Sequence, residues 1–211
     1  MVVRLTAFLT SASLAACSVV GIRETEEPHY RVIDRSGAIE VREYGPRIAA
    51  ETTVPSGEMA ARSTGFRRLA GYIFGDNEPR AEIAMTAPIA QAKQQIAMTA
   101  PVVQSSGDGG SSGGPWTIRF FMPASYTLAT LPKPRNPDVE LVEVPGETVA
   151  VLRYAGSTSA ENVAAKQAEL LRALQTGAWQ PSGDVVTWFY DPPWTLPPFR
   201  RTEAVVRVGR C

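Results

Sequence analysis

Histidine is nearly absent from this chain and cysteine is scarce: His29 stands alone, and the two cysteines are Cys17 and Cys211. A zinc site needs several His or Cys ligands, so that chemistry is excluded. A Ser-His-Asp or Cys-His device would have to use His29 as its base, and no nucleophile elbow lies near it. Charge of one sign is missing too, with 21 basic residues against 21 acidic ones, which removes the general electrostatic case for binding nucleic acid through its phosphates. No predicted strand is joined to a following helix by a glycine-rich phosphate loop. What remains, 44% hydrophobic and 20% charged residues in a chain of 211, suffices for one packed domain with appendages.

The first residues, MVVRLTAFLTSASLAACS, carry Arg4, a mostly apolar run to Leu14 too short to span a bilayer, and small residues before Cys17. Residues 1–16 are expected to be an export signal. Leu14, Ala15, Ala16 and Cys17 resemble the bacterial lipobox, in which the cysteine is acylated and heads the mature chain. Residues 17–28, acidic at Glu24, Glu26 and Glu27 and without period, are then the tether, and residues 29–211 the domain. The resemblance implies a lipid anchor on the periplasmic side of a bacterial membrane, and Ser18 after Cys17 resembles sorting to the outer membrane. With Cys17 acylated, Cys211 has no partner for an internal disulfide.

Alternation of apolar and polar residues runs from Tyr30 through Val54, punctuated by Gly37 and Gly45-Pro46, and predicts two or three antiparallel strands. In the stretch that follows, Met59, Phe66, Leu69, Ile73 and Phe74 share a broad helical face, Gly75 stops the helix, and Gly65 and Gly71 threaten its continuity. Shifting the sequence by 100 residues lays Ile39, Glu40, Val41 and Glu43 on Val139, Glu140, Leu141 and Glu143, and Gly45-Pro46 on Pro145-Gly146. A strand ending near Tyr154 and a helix with Ser159 as N-cap and Gly177 as stop follow the second copy. Two β-α-β-β halves are expected.

Two identical hexapeptides, IAMTAP, occupy Ile83–Pro88 and Ile96–Pro101. They read as closing a strand edge, with Thr86 and Thr99 bonding backbone and Pro88 and Pro101 ending the ladder. SSGDGGSSGGP then predicts a flexible loop before the strand WTIRFFMP. The chain finishes as strand, proline loop, strand. The loop YDPPWTLPPFRR holds Tyr190, Trp194 and Phe199 as rigid aromatics that either wall a groove or plug the end of the sheet, the latter favoured, with Arg200 and Arg201 as partners for Asp191.

IEVREYGP, FRRLAGYIFGDN, the IAMTAP pair, WTIRFFMP and YDPPWTLPPFRRTEAV together resemble the SOUL heme-binding protein family, across about His29 to Val208. The resemblance implies an α+β fold, a distorted eight-stranded antiparallel barrel or saddle with two helices, built from a duplicated unit. It also implies non-covalent binding of heme or another tetrapyrrole in an apolar groove beside the first helix, often without a strong axial ligand.

A tetrapyrrole is a flat apolar plate with carboxylate tails, so its site needs an apolar wall and a few cations. Phe66, Leu69, Ile73 and Phe74 can cover the ring, and Arg62, Arg67 and Arg68 can meet the tails. Such a pattern is equally that of a solvated arginine face over a core stripe. Met85 and Met98 occupy equivalent hexapeptide positions. A thioether can ligate heme iron, yet methionine more often fills irregular apolar space, here as groove lining. His29 is a weak iron ligand, since its place between tether and first strand reads as exposed. Tyr30, Tyr44, Tyr72 and Tyr154 offer oxygen ligands without supporting spacing. The chain therefore reads as a binder, not an enzyme, with a tetrapyrrole and a membrane as partners. Two alternatives stay open: a module for lipophilic cations, which would want a buried carboxylate, and an enzyme that alters tetrapyrroles.

Overall fold

Two proline-glycine turns divide the chain where the sequence repeats. The computed structural model describes residues 25–93, 115–192 and 194–210; Cys17, the second hexapeptide with Met98, the Gly/Ser stretch up to Gly114 and Cys211 lie outside them. Before the first turn come β1 (Tyr30–Ser36) and β2 (Ile39–Tyr44), joined at Gly37, whose φ of 58° favours glycine. After it come β3 (Arg47–Val54), helix α1 (Glu58–Ile73), β4 (Asn77–Glu78), β5 (Ile89–Lys93), β6 (Trp116–Phe121), β7 (Lys133–Pro134) and β8 (Glu140–Val144). Beyond the second turn lie β9 (Glu147–Tyr154), helix α2 (Ala160–Leu174), β10 (Trp179–Pro181), β11 (Val186–Phe189), a 3₁₀ turn at Pro197–Phe199, and β12 (Thr202–Arg210). The fold is α+β with antiparallel sheets and two helices, as expected.

The backbone forms two compact units with boundaries at Tyr44/Gly45 and Gly146/Glu147. The continuous unit, Gly45–Gly146, orders its strands β5-β6-β3-β8 and adds the short pair β4-β7. The split unit, from the stretches on either side, orders them β1-β2-β9-β12-β11, with β10 on β12. Each half of the repeat thus lends its leading strand to the other half's sheet: β2 pairs with β9 and β8 with β3. The registers correspond under the 100-residue shift, Tyr44 lying opposite Glu147 and Val144 opposite Arg47.

Each unit has its own core. In the split unit Ile39, Val41, Leu152, Leu170, Leu174 and Val206 pack together. Ser159 caps α2 as expected, its Oγ accepting from Asn162 N at 3.4 Å. The helix ends at Leu174, ahead of Gly177, whose N–H donates to the Leu174 carbonyl. In the continuous unit Leu69, Tyr72, Ile73, Ile83, Ile118 and Phe120 form the core.

Helix α1 runs unbroken through Gly65 because that glycine lies against the sheet: a Cβ there would stand 2.3 Å from Ile118 Cγ1. Phe74 caps the helix, and Gly75, at φ 105°, turns the chain away. Thr86 Oγ1 donates to the Phe121 carbonyl, as expected of the first hexapeptide. Pro88, however, precedes β5 where it was expected to end a ladder. The preceding residues carry no strand of their own, and the period-2 pattern begins only at Ile89.

Candidate functional site

On α1, Ala61, Gly65, Leu69, Tyr72 and Ile73 are buried. At 100° per residue, Arg62 and Phe66 fall on one shoulder of that buried stripe, Arg68 on the other, and Arg67 on the outer surface. The contacts agree. Arg62 Nε donates to Gln91 Oε1 on β5 at 2.7 Å, and its Nη2 lies 3.0 Å from Glu58 Oε1. Arg68 reaches the opposite way, to Asp138 Oδ2 at 2.8 Å and Thr52 Oγ1 on β3 at 3.2 Å. β3 and β5 lie on opposite edges of β6, so the three arginines do not converge. Arg67 is exposed, and among the described residues its polar contact is Thr64 Oγ1 at 3.4 Å.

Apolar surface accompanies Arg62 on the β5 shoulder. The Phe66 ring meets Phe120 edge-on, centroids 5.6 Å apart, and Phe66, Met85, Ile89 and Trp116 pack on the core while keeping part of their surface. Met59, one turn before Arg62, is 55% exposed. Gln91 anchors the rim: it is buried, accepts from Arg62, and donates to the Glu58 carbonyl at 3.2 Å. Trp116 Nε1 is buried without a hydrogen-bond partner among the described residues.

Several expected site residues go elsewhere. Leu69 and Ile73 are 0% and 1% exposed inside the core, deeper than Phe66. Phe74 is 62% exposed beyond the helix end. Met85 packs on the core of the continuous unit and keeps part of its surface, and Met98 lies outside the described residues. His29 is exposed, matching its expected position. Tyr72 is buried and donates to the Pro132 carbonyl at 2.9 Å; burial pushes its phenol up to about 12, which disfavours the phenolate an iron ligand would use. Ile89, Gln91 and Trp116 were missed. Their signal was the alternation of β5 and β6, which places Ile89 with Gln91 and Trp116 with Ile118 on helix-facing sides.

A second polar centre occupies the split unit. Glu203 on β12 is wholly buried, Arg42 on β2 nearly so, and Arg42 Nη1 lies 2.9 Å from Glu203 Oε2. Arg201 Nη2 approaches Glu203 Oε1 at 2.9 Å, and the buried Tyr190 hydroxyl donates to Glu203 Oε2 at 2.8 Å. Arg42 also meets Glu40 at 2.7 Å and stacks over Tyr30, while Arg201 meets both carboxylate oxygens of Glu27 at 3.0 Å and stacks over Tyr190. Burial opposes the Arg42 charge, but Glu203 outweighs it, so the guanidinium holds its proton more firmly than usual. Burial first, and Glu203 second, keep Tyr190 neutral well above the ordinary tyrosine range. Asp191, expected to partner Arg200 and Arg201, accepts through Oδ2 from the Arg201 backbone N–H at 2.6 Å. Among the described residues Glu203 is the buried carboxylate, and two arginines already neutralise it.

Comparison with known proteins follows this geometry. The model of the family described as SOUL heme-binding protein matches residues 25–95 and 90–207. Heme-binding protein 2 of Homo sapiens is 32% identical over 126 residues, and that of Mus musculus 31% over the same length. Each alignment covers 59% of this chain and 56% of the relative, so the match spans little more than half the length of either. Among solved structures, the C-terminal domain of EcmrR superposes with a TM-score of 0.57 at 10% identity, over 86% of this chain and 99% of that one. A hydrolase from Listeria innocua gives 0.51 at 12%, over 84% and 94%. These last two likenesses are of fold alone.

Proposed function

The chain belongs to the SOUL heme-binding protein family, and from that premise we propose that it binds heme or a related tetrapyrrole, non-covalently, on the β5 shoulder of α1. The observation that carries this reading is the partly exposed apolar pair Phe66 and Ile89 on the shoulder that holds Arg62, a cation fixed by Gln91 and Glu58. A ring laid on that apolar wall removes apolar surface from water at about 25 cal/mol per Å². A propionate at the rim meets a guanidinium whose orientation is already fixed, so little side-chain entropy is lost on binding. Arg67 and Arg68, also candidates in the sequence, point away from the wall. A lipophilic cation is the poorer match, because Glu203 already faces Arg42 and Arg201.

The role we assign is that of a carrier or scavenger outside the cytoplasm and not an enzyme, held to the periplasmic side of a membrane, the outer one, through Cys17. That reading rests on the lipobox resemblance and on the composition of the first residues.

Titration with hemin and with a porphyrin lacking carboxylates tests the site. Arg62→Ala should weaken hemin about tenfold, the scale of one hydrogen bond to a charged group, and leave the neutral porphyrin unaffected. Phe66→Ala should weaken both, and Arg68→Ala neither. Equal losses for the two ligands in Arg62→Ala would remove Arg62 from the tail site, and full affinity in Phe66→Ala would remove the wall. His29→Ala should leave the Soret band of the heme complex in place; a shifted band would show that His29 ligates the iron.

A further inference from the structure

The aromatic loop between β11 and β12 was expected to plug the sheet; Tyr190 is buried, but the large apolar side chains that follow it face outward. Trp194 is 64% exposed, Leu196 48% and Phe199 49%. Between the first two, Thr195 is wholly buried, so the two exposed side chains flank one that points inward. This exposure is not slack packing, because the loop is braced along its length. Thr195 N donates to the Pro192 carbonyl at 3.1 Å, Phe199 N to Leu196 at 2.9 Å, Gly156 N to Pro197 at 2.9 Å, and Arg200 Nε to the Thr195 carbonyl at 2.7 Å. Three large apolar groups held out on a rigid support mark a contact surface.

The first described residues are tied to the same stretch of chain. Arg201, two residues after Phe199, grips Glu27 through both carboxylate oxygens at 3.0 Å, which fixes Glu27 to the end of this loop. Ten Cα–Cα steps separate Cys17 from Glu27. Fully extended they reach no more than about 36 Å, and as a flexible coil roughly 18 Å. An acylated Cys17 would therefore keep the loop within a short distance of the lipid headgroups, where even weak insertion is favoured by high effective concentration.

We infer that Trp194, Leu196 and Phe199 form a membrane-contacting edge that inserts at the headgroup boundary of the bilayer and sets the orientation of the domain on it. The chemistry fits: tryptophan and phenylalanine favour this boundary, and the Trp194 indole N–H retains polar partners there. The inference rests on the lipid anchor proposed above.

Reconstituting the full-length acylated protein into phosphatidylethanolamine/phosphatidylglycerol vesicles with brominated acyl chains separates the possibilities. Tryptophan emission should be quenched, and Trp194→Phe should lose that quenching, since Trp116, Trp179 and Trp188 stay within the fold; Leu196→Ser with Phe199→Ser should reduce it while Trp194 remains. Protein that floats with the vesicles but is unquenched would overturn the membrane edge and leave the anchor standing. Wild-type protein that stays in solution, as Cys17→Ser does, would overturn both. A Cys17→Ser protein that sediments as two chains, with Trp194 shielded in the absence of lipid, would give the surface to a second copy and overturn the inference.

Discussion

Replacing Glu203 by Ala should lower the stability of the fold by about 3–5 kcal/mol, the cost of leaving buried charges without their partner. The carboxylate is wholly buried and touches Arg42, Arg201 and Tyr190. Its removal strands the Arg42 guanidinium, whose side chain is 3% exposed, with Glu40 as its remaining counter-charge. Glu203→Gln should cost less, because the amide oxygen still accepts from the guanidinium groups. The exposed pair Arg31–Glu43, at 75% and 48%, is the control. Breaking it should change stability by no more than about 1 kcal/mol, since water already solvates both groups. Urea unfolding followed by fluorescence measures all three variants. A Glu203→Ala protein no less stable than the Arg31→Ala control would mean that the buried network contributes nothing net. Replacing Arg42, Arg201 and Glu203 together by apolar residues should be milder than the single change, because no charge is left stranded.

Gly65→Ala should destabilise the continuous unit by about 1–3 kcal/mol, the usual range for overpacking. In an exposed helix the same substitution gains up to about 1 kcal/mol of helix propensity, so the expected sign is reversed. The reason is geometric. The new methyl would sit 2.3 Å from Ile118 Cγ1 and 2.7 Å from Ile118 Cβ, and a β carbon on a strand cannot swing aside. Either α1 lifts from β6 or the strand yields. Gly71→Ala is the control, its nearest neighbours being Asp76 atoms at 3.9 Å, and it should be neutral or stabilising. Shortening Ile118 to Ala should make the Gly65 substitution less costly, a coupling visible in a double-mutant cycle. Because Arg62 and Phe66 ride on the same helix, Gly65→Ala should also weaken hemin binding; undiminished stability and affinity together would show that the helix has room there.

Much of the fold was written locally. Alternation through Tyr30–Val54 gave three strands, and the helical faces gave α1 and α2 with Ser159 and Gly75 at their ends. The 100-residue repeat foreshadowed equivalent registers. Short elements were not legible: two-residue strands such as β4 and β7 have too few residues to show a period. Gly65 reads in the sequence as a weakness of the helix. Propensity sees only the lost methyl, whereas contact with Ile118 supplies the reason for its absence.

The candidate site was legible as a neighbourhood and not as a set of contacts. Arg62, Arg67 and Arg68 are close in sequence, but a helix advances 100° per residue, which sends them to one shoulder, the outer surface and the other shoulder. Leu69 and Ile73 shared the apolar face with Phe66, yet sit deeper in it. Periodicity names a face without saying how far each residue sinks.

By itself, the sequence determined the α+β class, the repeat and its turns, the apolar helix face and the family, because each is carried by residues near one another or by recurring motifs. Tertiary structure alone decided which arginine meets the apolar wall, why a glycine holds mid-helix, that Arg42 and Glu203 neutralise each other across 161 positions, and that Trp194 and Phe199 face outward. Those outcomes depend on strand order and on the depth of each side chain against its neighbours. Spacing along the chain fixes neither.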